Sequence, residues 1–273
     1  MRFGLDLAQQ RVSWDELVRR VRFAEELGFD GAWGFDHFRP MYGDGPGETF
    51  EGVTTLAALS GVTERIRLGL LVTGVTYRHP SVLAAQAVTI DHASHGRLEL
   101  TLGAAWFEDE HRQLGIDFPP TAKRFDLLED ALEIATRLFT GEVVDYDGKV
   151  VSLHQAQLLP MPVQQPHPPM WIGGTGPTRT LPLVARFADV WHAWGSPKAL
   201  TEPNARVDEL AAQAGRDPAS IKRASSLSLD DLDTARRHLD KWQDAGYDYL
   251  VCGWPGDGDA QVEAFARDVM SVS

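Results

Sequence analysis

A chain of 273 residues is long for one ordinary domain yet within the usual span of a closed α/β barrel, and a hydrophobic fraction of 43% lets it bury a sizeable core. The formal net charge of −13, with no basic stripe or arm, excludes nucleic acid as a partner. No apolar run approaches the ~20 residues that cross a bilayer. The opening MRFGLDLAQQ lacks the charged-then-apolar pattern of a signal peptide, and a lone Cys252 excludes an internal disulfide, so the expected location is the cytoplasm.

Residues 3–7 are short and apolar and read as a first strand. Ser13 is then a candidate N-cap, with Glu16 completing a capping box; Leu17, Val18, Val21 and Ala24 follow at helical spacing, and Gly28 closes the helix. Residues 32–35 form a second strand that runs into Asp36-His37. A helix over 53–62 leads to a near-continuous apolar strand over 66–72, of the kind buried on both faces. Pro80 opens a helix through Ala93, Gly96 ends it, and residues 98–102 make the fourth strand. A helical stretch over 122–139 precedes a β-hairpin excursion over 142–153 around Asp147-Gly148, a tight-turn pair. The proline-rich residues 160–169 read as a stiff connection. Strand 170–172, helix 181–187, strand 189–194, helix 205–214, strand 224–229, helix 231–245, strand 249–254 and helix 259–270 complete the chain.

That is eight strand-then-helix units with one hairpin inserted after the fourth. Such alternation demands a parallel sheet with right-handed crossovers. An open doubly wound sheet usually carries a glycine-rich turn after its first strand, whereas Ala8-Gln9-Gln10 stands there. The expectation is a single (β/α)8 TIM barrel over 1–273.

Barrel active sites form at the C-terminal ends of the strands, which selects four clusters. Asp36-His37 ends the second strand; His37 can move a proton near neutral pH and the carboxylate can orient a ring or a ligand. A metal reading would need a His-x-His pair, which the chain lacks, so no metal is expected. Leu71, Val72 and Gly74 end the third strand, where a glycine marks a bulge or a close approach of ligand to backbone. Gly103, Ala104 and Ala105 end the fourth and are small enough to admit a bulky planar group; the acidic Glu108-Asp109-Glu110 behind them reads as the first turn of a helix. Gly173, Gly174, Thr175 and Gly176 precede a helix and offer backbone N–H groups to a phosphate, with Thr178 and Arg179 as further donors. Trp106, Trp191, His192 and Trp194 gather at strand ends and could wall an aromatic substrate pocket, or pack as core.

These segments, in this order, resemble the luciferase-like monooxygenase superfamily and within it the coenzyme F420-dependent oxidoreductases. The matching text is Gly28-Phe29-Asp30-Gly31-Ala32-Trp33 leading to Asp36-His37, then Thr63 to Gly69, Tyr77-Arg78-His79-Pro80, Gly96 to Leu100 and Pro168 to Gly174. The resemblance implies that Asp36 binds the deazaflavin and that His37 is the proton donor or acceptor. It implies a bulge with a non-prolyl cis peptide at Leu71-Val72, pressed against the ring. Gly103, Ala104 and Ala105 would line the chain that bears the phosphate, and Gly173 to Gly176 would hold the phosphate itself. The sugar-phosphate dehydrogenases of the group carry a glutamate where this chain has Trp106 and recruit lysines that have no equivalents here, so the expected substrate is a small organic molecule other than a sugar phosphate. The alternative cofactor is FMN, in a monooxygenase of the same superfamily, and a non-catalytic flavin-binding relative is a third reading. Members are often homodimers; the pattern neither supports nor excludes one.

Overall fold

The computed structural model describes residues 1–270. In chain order the elements are β1 (Arg2–Asp6), α1 (Trp14–Glu26), β2 (Gly31–Gly34), α2 (Gly52–Ser60), β3 (Arg67–Leu70), α3 (Pro80–Ala93), β4 (Leu98–Leu102), α4 (Glu108–Leu114) and α5 (Thr121–Leu138). A hairpin, β5 (Val144–Asp147) and β6 (Ser152–Ala156), comes next. Then follow β7 (Met170–Gly173), α6 (Thr180–Phe187), β8 (Val190–His192), α7 (Thr201–Gln213), β9 (Lys222–Leu227), α8 (Leu232–Asp244), β10 (Tyr249–Gly253) and α9 (Asp259–Asp268). Eight strands close in the order β1-β10-β9-β8-β7-β4-β3-β2, every neighbouring pair parallel, and the hairpin stands apart as an antiparallel pair. The chain is therefore the (β/α)8 barrel with a hairpin insertion that its sequence pattern predicts.

Aromatic residues fill the barrel interior. Trp33, Trp171 and Tyr249 pack there with Val190, Ala224 and Val251, and each indole finds a partner, as buried indoles require. Trp33 Nε1 donates to Tyr249 Oη at 3.1 Å and Trp171 Nε1 to Glu99 Oε2 at 2.6 Å. Glu99 is in turn ion-paired with Arg67.

The differences from the sequence expectation lie at element ends. Strand β3 stops at Leu70 because the chain leaves the ladder at Leu71-Val72, whose peptide is cis. The sixth barrel strand is only Val190–His192, which leaves Trp194 on the rim. Strand β9 begins at Lys222, two residues early, because Arg223 is satisfied inside the fold by Asn204 at 2.5 Å and Asp208 at 2.5 Å on α7. The hairpin turn spans four residues rather than two. Asp130 on α5 accepts the N–H groups of Lys149, Val150 and Val151 at 3.0, 2.6 and 2.9 Å, opening the turn beyond a tight pair. At α1 the Ser13 cap forms, accepting from Glu16 N at 3.2 Å, but Glu16 turns its carboxylate to Arg19 and Arg20, so the box is half made.

Candidate active site

At the C-terminal mouth of the barrel a cavity of about 540 Å3 opens between the ends of β2, β3, β4, β7 and β8. His37, just beyond β2, lines it with 14% of its side chain exposed. Its Nδ1 lies 3.0 Å from Oε2 of Glu110, whose side chain is 1% exposed. Glu110 also accepts Phe38 N–H at 2.8 Å and the Tyr77 hydroxyl at 2.5 Å. Burial works to raise the Glu110 carboxyl, but the hydrogen bonds from His37, Tyr77 and Phe38 outweigh it and hold it below the usual carboxylate range. An ionised carboxylate can only accept, so Nδ1 carries a proton, and it is Nε2 that can exchange one with a ligand. No protein group among the described residues bonds that Nε2. Burial and the neighbouring Glu110 push the Tyr77 phenol up, so it stays a donor. Phe35, Tyr77, Trp106 and Phe107 stand around the imidazole with ring centroids 5.8 to 6.5 Å away.

Glu110 is the functional candidate missed in the sequence. Glu108-Asp109-Glu110 does form the first turn of α4, as read, but the helix turns the third carboxylate inward under His37. A glutamate is thus absent at position 106 and present four residues later.

Asp36 lines the cavity, but both its oxygens are engaged within the protein. Arg78 pairs with it at 2.6 and 3.0 Å, and Gly74 N–H donates to it at 2.9 Å. Arg78 continues to Glu51, the N-cap of α2, at 2.6 Å. The carboxylate expected to bind the cofactor therefore also pins the bulge after β3 through Gly74 N–H and Arg78.

Val72 explains the small residues opposite. A Cβ on Gly103 would sit 2.4 Å from Val72 Cγ2, and one on Gly173 would sit 3.1 Å from Cγ1. Leu71, Val72, Gly74, Gly103, Ala104, Ala105, Gly173 and Gly174 all line the cavity. Gly174 adopts φ +112°, a conformation open to glycine, and its carbonyl accepts Trp191 Nε1 at 2.8 Å. Thr175 and Gly176 follow just outside the lining, and their backbone N–H groups have no acceptor among the described residues. Arg179, offered as a phosphate donor, turns instead to Asp126 at 2.6 Å.

The expected aromatic pocket is only partly assembled. Trp106 and Trp194 line the cavity with 64% and 62% exposure, and His192 lines it from within. Burial pushes His192 down to about 4, leaving it neutral at pH 7, and its Nε2 lies 3.1 Å from Ser226 Oγ. Trp191 is fully buried in the core and does not reach the cavity. Side chains alternate along a strand, so with His192 facing the barrel mouth its neighbour must face the helices. No group of three or more His, Cys, Asp or Glu side chains gathers as a metal site among the described residues. No helix there is long and apolar enough to cross a membrane.

A closed parallel barrel with a polar-and-glycine cavity at its strand ends, and a histidine backed by a buried carboxylate, has the architecture of a (β/α)8 enzyme. The chain belongs to the luciferase-like monooxygenase family, whose profile matches residues 1–253. It is 30% identical over 249 residues to an F420-dependent glucose-6-phosphate dehydrogenase of Microbacterium testaceum, covering 89% of this chain and 73% of that one. It is 29% identical over 244 residues to an F420-dependent hydroxymycolic acid dehydrogenase of Mycobacterium tuberculosis, covering 88% and 66%. Among solved structures it superimposes on an F420-dependent secondary alcohol dehydrogenase with a TM-score of 0.88 at 18% identity, covering 100% and 99% of the two chains. The coenzyme F420-dependent tetrahydromethanopterin reductase of Methanopyrus kandleri follows at 0.84 and 18%, covering 99% of each. At these identities the structural matches speak for the fold.

Proposed function

We propose that this protein is an F420-dependent oxidoreductase that passes a hydride between the deazaflavin and a small organic substrate, with His37 moving the accompanying proton. The observation that carries the reading is the His37–Glu110 pair at the wall of the rim cavity, with an unbonded imidazole nitrogen on the ligand side. The F420-dependent relatives support the choice of cofactor.

The residues present fit such a group. Gly103, Ala104, Gly173 and Gly174 leave room for a planar ring and its tail, and the unpaired N–H groups of Thr175 and Gly176 suit a phosphate. Bound F420 supplies the hydride chemistry; the protein supplies the rest. His37 Nε2 takes a hydroxyl proton when a substrate is oxidised and returns it on reduction. Glu110 fixes the tautomer and favours the imidazolium that forms. Trp106 and Trp194 cover the mouth with apolar surface, which lowers the access of water. No lysine or arginine lines the cavity, which argues against a sugar phosphate.

The test is a fluorescence titration of the purified chain with F420 and with FMN. Micromolar binding of F420 is expected, with His37→Ala binding it within about threefold while losing ~10²- to 10⁴-fold in turnover. Micromolar binding of FMN with none of F420 overturns the proposal, and oxygen consumption with reduced FMN would then identify a monooxygenase.

A further inference from the structure

Beyond the cofactor cavity, the rim continues into a second chamber of about 310 Å3 that shares Phe35, Tyr42, Leu71 and Trp194 with it. This chamber lies against the ends of β1, β9 and β10, which the cofactor cavity leaves untouched. Its polar lining is Asp6, Ser226, Ser228 and Asp230. Asp6 is the last residue of β1; its Oδ1 accepts Ala8 N–H at 2.9 Å, and no protein group among the described residues bonds its Oδ2. Asp230 accepts the Ser228 hydroxyl at 2.9 Å and Gly256 N–H at 3.2 Å, and no cation among the described residues pairs with it. No residue lining the chamber is cationic. Of the arginines that touch its wall, Arg20 stacks on Trp254 at 4.3 Å and is held by Glu16 and the Leu7 carbonyl, while Arg11 donates to the carbonyls of Tyr42, Asp44 and Gly45.

Asp6 is partly exposed, and a carboxylate drawn part-way from water gains from a cationic partner. Asp6 has one backbone N–H, and burial pushes it up to about 6, with the Ala8 N–H offsetting this only in part. No cation among the described residues compensates it. Tyr42 and Trp194 line the same chamber, and aromatic rings attract cations.

We propose that this chamber is the substrate end of the site and that Asp6, with Asp230 behind it, captures the ammonium group of an organic amine. An anionic substrate would meet two carboxylates and no counter-charge. The inference rests on the F420 reading for what happens to the captured molecule, though not for its capture.

Saturation-transfer NMR on the full chain, with benzylamine, benzyl alcohol and benzoate as probes in ~0.15 M salt to screen the overall negative charge, tests it. Benzylamine is expected to bind at least tenfold more tightly than benzoate. Asp6→Asn should weaken benzylamine by fivefold or more while leaving benzyl alcohol and F420 affinity within twofold. If that variant does not fold, Asp230→Asn, on the exposed side of the chamber, should reduce the amine preference in the same direction. Equal or tighter binding of benzoate, or an amine preference unchanged in the variant that folds, overturns the inference. F420 binding without amine preference sinks this proposal alone; amine preference without F420 binding sinks only the cofactor assignment.

Discussion

Replacing Glu110 by Gln tests the arrangement around His37 without changing its volume. In the parent, Oε2 accepts from His37 Nδ1 and the Tyr77 hydroxyl while Oε1 accepts from Phe38 N–H. An amide has one acceptor, so its NH2 either faces the Phe38 N–H or faces His37 Nδ1 and the Tyr77 hydroxyl, which must then give up donating, His37 by changing tautomer. A hydrogen bond to a charged group contributes about 1.5–3 kcal/mol, and a buried donor left facing a donor costs about 1–3 kcal/mol. A loss of about 3 kcal/mol follows, which for a chain of this size lowers the melting temperature by roughly 6–12 °C. Differential scanning calorimetry at a fixed scan rate reads it. The effect also has a pH signature. The folded-state titration of Glu110 lies below that of an unfolded glutamate, ordinarily about 4.3. Its stabilisation is therefore complete above that value and disappears as pH falls through the lower folded one. The gap between parent and variant should be full at pH 7 and narrow below about pH 4. A variant melting within a degree of the parent at pH 7, or a gap that stays constant into acid, would refute the reasoning.

His192, held down to about 4 by burial, binds fewer protons folded than unfolded between that value and about 6.5. Stability should fall by as much as ~3 kcal/mol as pH drops through this window, and His192→Gln should flatten the slope of urea midpoint against pH. An unchanged slope would place the dependence elsewhere. Gly103→Ala drives a methyl to within 2.4 Å of Val72 Cγ2 and should cost about 1–3 kcal/mol in urea unfolding. Val72→Ala in the same chain should recover most of that loss, whereas simple additivity of the two changes would refute the contact.

The barrel and the identity of its rim were readable because both follow from local pattern. Most barrel strands are short apolar runs, and Gly28 and Gly96 take the positive φ of +85° and +81° expected after a helix. His37 and the glycine-rich turn could be chosen by their place after a strand. What stayed hidden depends on partners distant in sequence. Glu110 lies 73 residues from His37, and only the rotation of α4 separates it from its two acidic neighbours, which face solvent. Asp36 looked free for a ligand because Arg78, 42 residues away, carries no local sign of pointing back to it. Trp191 was the avoidable error: strand alternation relative to His192 already assigned it to the outer face. The apolar run through Val72 hid the end of β3 at Leu70, although the family resemblance places a non-prolyl cis peptide at Leu71-Val72, where the structure has one.

The mouth of this barrel is divided by strand. Strands β2, β3, β4, β7 and β8 carry the histidine pair, the bulge and the glycines, and these are interlocked through Val72, Asp36 and Arg78. Strands β1, β9 and β10 border the second chamber, where Ser228, Asp230 and Trp254 sit beyond the ladder with few such ties. A substitution on the first arc disturbs several neighbours at once, whereas one on the second alters a wall and little else. New preferences can therefore arise on three of the eight strand ends while the other five keep their arrangement, which makes the loops after β1, β9 and β10 the place to look for divergence among close relatives.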